Sequence, residues 1–124
     1  MRVFKSKWFV QFAHKERISD VKLCEVVKDA ESGKIDADYG GGVIKQRIAR
    51  PNEGKSGGYR TIILFRRGDN AFFVYAFSKS RRDNINAIEE RTFKDLAKRT
   101  FALSDVALAK LIETETYTEV ICDD

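Results

Sequence analysis

The sequence is poor in the residues from which most catalytic centres are built. It has one histidine, His14, and two cysteines, Cys24 and Cys122, far apart in the chain. HExxH and GxxxxGK[ST] are both absent, as is any close group of His and Cys. These absences argue against zinc hydrolases and phosphate-loop nucleotidases, a single histidine argues against nucleophilic triads, and no metal and no cofactor is expected. The cysteines have no near neighbours of the kind a metal site or redox pair uses, and read as isolated thiols. No run of eighteen apolar residues occurs, and Arg2, Lys5 and Lys7 interrupt the start of the chain, so neither a membrane span nor a signal-type apolar region is expected. A cytoplasmic protein with no membrane partner follows as the expectation. Proline occurs once, at Pro51, so one segment alone is barred from a central strand on that ground.

What the sequence does have is positive charge in one place. Between Val43 and Arg82 there are ten lysines and arginines against Glu53 and Asp69, a net charge of +8, whereas the whole chain carries +4. After Arg82, ten acids face five cations, so that portion is expected to point away from any polyanion. At 124 residues with 43% hydrophobic content, the chain is expected to form a single domain over residues 1–124.

The patterning places the cations on a sheet. A short opening strand at Arg2–Phe4 leads into a helix over Ser6–His14, where Trp8, Phe9, Phe12 and Ala13 share near-helical spacing. Ser19 is set as the N-cap of a second helix, with Ile18 and Leu23 as its hydrophobic staple, ending near Gly33. Ile35, Ala37 and Tyr39 alternate with acids in an edge strand before Gly40–Gly42. In the strand from Val43 to Arg50 the two-residue period projects Lys45 and Arg47 side by side. Asn52–Gly58 reads as a loop carrying Lys55. Tyr59–Arg67 and Ala71–Lys79 then form an apolar hairpin across Gly68-Asp69-Asn70. Both faces of this hairpin are mostly apolar, so its middle should be covered, with the helices expected on one side. A helix after Asn84, another capped by Ser104, and a weak strand at Tyr117–Ile121 complete the chain. The expected fold is α+β: a small, mainly antiparallel sheet packed against the N-terminal helices, with a C-terminal helical segment.

Clustered Lys and Arg with Tyr59, Phe73, Tyr75 and Phe77 nearby suit phosphate binding and base stacking, although alternate aromatics of a central strand usually pack as core. Such a cluster also permits RNA cleavage without a metal. A 2′-hydroxyl attacks the adjacent phosphorus, guanidinium groups stabilise the charge gathering on the nonbridging oxygens, and a lysine crowded by other cations loses its proton more readily and serves as base.

The segments Lys45-Gln46-Arg47, Gly57-Gly58-Tyr59-Arg60 and Phe77-Ser78-Lys79-Ser80-Arg81-Arg82, in this order and spacing, resemble the RelE/HigB toxins of the RelE/ParE superfamily. The resemblance covers nearly the whole chain. It implies an endoribonuclease that cleaves messenger RNA in the ribosomal A site and is neutralised by a cognate antitoxin, expected to be a helix-turn-helix protein. Carried over by position, Lys45, Arg47, Arg60, Lys79 and Arg81 are the implied catalytic residues, and Lys55, Tyr59 and Arg82 the implied RNA contacts. The family's arginine after the lysine falls at Ser80, with Arg81 and Arg82 as substitutes, and its stacking tyrosine falls near Asn86. Two other readings compete: a noncatalytic gyrase inhibitor of the ParE kind, and a plain nucleic-acid-binding domain.

Overall fold

The computed structural model describes residues 1–50 and 57–122. In chain order these form β1 (Arg2–Ser6), α1 (Lys7–Lys15), α2 (Asp20–Glu31), β2 (Ala37–Gly40), β3 (Val43–Ile48), β4 (Tyr59–Phe65), β5 (Asn70–Ser78), α3 (Ala87–Phe101), α4 (Asp105–Glu113) and β6 (Tyr117–Val120). The α+β assignment and the chain order agree with the sequence pattern.

The helix starts are set by side-chain caps that satisfy backbone N–H groups left without helical partners. Ser6, Ser19 and Ser104 accept from the amides of Phe9, Lys22 and Ala107 at 3.1, 3.2 and 3.1 Å. The cap of α3 is a reciprocal box in which Asn86 accepts from the Glu89 amide while Glu89 accepts from the Asn86 amide.

The six strands form one sheet in the order β2-β3-β4-β5-β1-β6. All the pairings are antiparallel except that of β1 with β5. The turn between β2 and β3 runs through Gly40, Gly41 and Gly42, whose φ values of +81°, +63° and +82° belong to the left-handed region that side chains disfavour.

Helices cover both sides of this sheet, where the sequence pattern pointed to one. The face with Ile44, Ile48 and Ile63 packs on Phe9 and Ala13 of α1 and Leu23, Val26 and Val27 of α2. The opposite face, with Val43, Ile62, Leu64 and Phe72, packs on Ala97, Phe93 and Phe101 of α3 and Leu108 of α4. The amphipathic faces of α3 and α4 are what close this second layer: the all-buried β4 has no side left for solvent.

A bulge divides the aromatics of β5. Ile62 pairs with Tyr75 and Ile63 with Phe73, so Val74 is inserted and the alternation slips by one residue. Phe73 therefore joins the α1–α2 core, with its ring 5.1 Å from that of Phe9, while Tyr75 and Phe77 belong to the α3 side. Because Phe73 is fully buried, Phe73→Ala is expected to lower stability by roughly 3–5 kcal/mol. Denaturant melts of the two proteins measure this, and an unchanged midpoint with lost activity would make Phe73 a functional residue instead.

The cysteines correct the sequence reading. Cys24 and Cys122 form a disulfide across 98 residues of sequence, with Cα atoms 5.7 Å apart. They meet because the C-terminal tail returns beside α2 after β6 pairs with β1, a long-range closure that local spacing does not encode. In a reducing cytoplasm the same pair would stand as two adjacent thiols.

Candidate active site

The cation centre is built by strand register. Arg47 lies directly opposite Arg60, and Arg60 directly opposite Phe77, which makes one row across β3, β4 and β5. The next row is Lys45, Ile62 and Tyr75. Two residues along a strand face the same way, so Lys45, Arg47 and Arg60 share one side of the sheet, the side carrying α3. Helix α3 packs its later turns near Gly41 and Gly42, where Lys94, Ala97 and Phe101 approach, and its N-terminal end lies toward Lys45.

The three cations differ in environment. The Arg47 side chain is 48% exposed, and Asp36 holds it by accepting from its backbone amide at 2.5 Å, with a carboxylate oxygen 3.9 Å from Nε. Arg60 is 5% exposed. Lys45 is half-buried, and its ammonium is held below the ordinary lysine value by burial first, then by repulsion from Arg60 and Arg47, with Asp36 and Asp83 opposing.

Asn84 joins this group from the segment after β5. Its Oδ1 accepts from Lys45 Nζ at 3.5 Å and from the Tyr39 hydroxyl. Burial and the charge of Glu90 raise the Tyr39 pKa, so the phenol stays protonated as a donor. Tyr39 and Asn84 were not singled out as site residues from the sequence. They lie 45 residues apart and no motif links them, although both were visible as polar residues beside a turn and a helix start.

Glycine spacing near the centre also has a physical reason. A Cβ on Gly58 would stand 2.1 Å from the Ile48 carbonyl oxygen and 2.8 Å from the Arg50 amide. Any side chain there would collide with backbone, so the Gly-Tyr-Arg order lets β4 begin hard against the end of β3 and sets Arg60 opposite Arg47.

The remaining candidates separate from this centre. Tyr59 is buried on the other face, its ring edge-on to Phe12 and covered by the Arg50 guanidinium, and its hydroxyl bonded to Glu16. Arg82 lies 5.3 Å over the Phe77 ring and forms a paired contact with the Glu89 carboxylate, one bond being 3.1 Å. It thereby anchors the capped start of α3, and its Nε donates to the Asn84 carbonyl at 3.0 Å. Lys79 and Arg81 are exposed in the turn that follows β5, with the Lys79 amide donating to the Gly58 carbonyl. Lys55 lies outside the described residues. His14 is exposed near the end of α1, away from the cations.

In this α+β domain a half-buried lysine lies one row from a cross-strand pair of arginines, Arg47 exposed and Arg60 buried, on the α3 side of the sheet. The sequence model of the RelE toxin of the RelE/RelB toxin–antitoxin system matches residues 1–120, and the chain belongs to this family. It is thus a toxin of a toxin–antitoxin system, which implies a cognate antitoxin. The comparison with curated proteins gave no match.

Proposed function

We propose that this toxin is an endoribonuclease that cuts messenger RNA on the ribosome without a metal ion. The observation that carries the reading is the side-by-side placement of Lys45, Arg47 and Arg60, with the Lys45 ammonium destabilised by burial and by its two cationic neighbours.

In the reaction, neutral Lys45 takes the proton of the ribose 2′-hydroxyl, and the 2′-oxygen forms a bond to phosphorus. The bond from phosphorus to the 5′-oxygen breaks, and that oxygen takes a proton from water. The products are a 2′,3′-cyclic phosphate and a 5′-hydroxyl end. Arg60 and Arg47 donate charge-assisted hydrogen bonds to the nonbridging oxygens as their charge grows. Tyr39 and Asn84 hold Lys45 at the edge of the cluster.

The test is primer extension on a message programmed into ribosomes, with the purified toxin and with the Lys45→Met variant. New stops at the A-site codon, absent with the variant and bearing a 5′-hydroxyl, are the expected result. Growth arrest with intact message and altered DNA supercoiling would replace this reading with gyrase inhibition.

A further inference from the structure

A second feature of the molecule lies around the edge of the sheet from the cation centre. Strand β1 pairs with β5 only as far as Lys5 opposite Phe73, because the chain leaves the sheet at Lys7 to form α1. Past that point β5 has no strand neighbour on this side among the described residues, and a groove of about 360 Å³ runs between α1 and the end of β5. Its wall is aromatic. Trp8 stacks on Phe12 at 5.4 Å between centroids with planes 10° apart, and lies 4.9 Å from Tyr75. Even so, Trp8 is 46% exposed, unusual for the largest apolar side chain of a small domain.

The rim is cationic. Lys15, Arg50, Arg81 and Arg82 line the groove with Glu16 as the opposing carboxylate. Glu16 is already engaged by the Tyr59 hydroxyl, and Arg50 lies 4.8 Å over the Tyr59 ring while donating to its hydroxyl at 3.1 Å. A chain of contacts links the groove to the candidate active site: Tyr75 and Phe77 contribute to its wall, Arg82 bridges from Phe77 to Asn84, and Asn84 accepts from Lys45.

We propose that this groove binds single-stranded RNA flanking the scissile phosphate, with a base against the surface of Trp8 and Tyr75 and phosphates near Lys15 and Arg81. This rests on the ribonuclease reading above and extends it to a binding site for substrate. Rings interleaved with guanidinium and ammonium groups match the two parts of a nucleotide strand, the π-face of the base and the phosphate charge. An acidic peptide would use the cations and leave the aromatic wall idle.

Trp8 is the chain's one tryptophan, so its fluorescence reports this groove directly. The probe is a short 2′-O-methyl oligoribonucleotide, which cannot undergo 2′-hydroxyl attack, with affinity followed in parallel by anisotropy of a dye on the RNA. Saturating RNA is expected to quench Trp8. Trp8→Ala is expected to weaken binding roughly tenfold and Trp8→Phe, which keeps a ring, much less. Lys15→Gln, an exposed substitution, should reduce the slope of log affinity against log salt by about 0.7. Binding by anisotropy with unchanged Trp8 emission would overturn the proposal. So would polyglutamate shifting the emission where RNA does not, which would give the groove to an acidic peptide. The cleavage assay keeps the two readings apart: message cut on the ribosome without Trp8 quenching removes the groove and leaves the nuclease, and quenching without cleavage does the reverse.

Discussion

Lys45→Met is expected to lower the rate of message cleavage by about 10²- to 10⁴-fold and to abolish its rise with pH. The sign follows from the charge state the reaction needs. Lys45 accepts a proton only as the neutral amine, and burial together with Arg60 and Arg47 holds its pKa below the ordinary 10.5. The neutral fraction, and with it the wild-type rate, should therefore climb from neutral into mildly alkaline pH. It should level off above the lowered pKa. Arg47→Gln removes one of the repelling charges, so the remaining activity of that variant should rise at higher pH than in the wild type. Single-turnover cleavage on programmed ribosomes, measured across that pH range, checks all three proteins. A Lys45→Met enzyme whose rate still climbs as the wild type's does would take the base role away from Lys45.

The parts of this molecule written in local sequence were legible, and those set by distant packing were not. Ser19 with Ile18 and Leu23 announces the start of α2 because cap and staple lie within five residues of each other. The shared face of Lys45 and Arg47 follows from strand period alone. The burial of Tyr59 does not, since β4 is buried on both sides and its own residues cannot say which face the cations take. The bulge opposite Ile62 and Ile63 is similarly silent in the sequence, yet it reverses the direction expected for Tyr75 and Phe77 relative to Phe73. Asn84 and Tyr39 meet only because α3 is laid over the sheet, and Cys24 meets Cys122 only because the final strand returns to β1. Charge concentration located the candidate centre to a region, and register then reduced that region to three neighbouring cations.

Arg60→Ala is expected to lower the cleavage rate by roughly 10²- to 10³-fold, in kcat more than in KM. A guanidinium aimed at the nonbridging oxygens gains most when negative charge accumulates there in the transition state, so its loss should slow the chemical step while RNA still binds through other cations. Its position makes the experiment demanding. Arg60 is the second residue of β4 and almost fully buried, so its removal bears on the fold as well as on the chemistry. Arg60 also has further interactions within the fold, and truncation disturbs these as well. Arg60→Lys separates the two effects. It keeps the positive charge but replaces a planar fork of donors with a single ammonium, so it should preserve more of the fold than Arg60→Ala while recovering only part of the rate. Thermal melts read the fold and single-turnover cleavage reads the chemistry. If Arg60→Ala melts as the wild type does and cuts within about threefold of its rate, Arg60 supports the sheet and the phosphate charge must be met by Arg47 or by residues of the segment after β5.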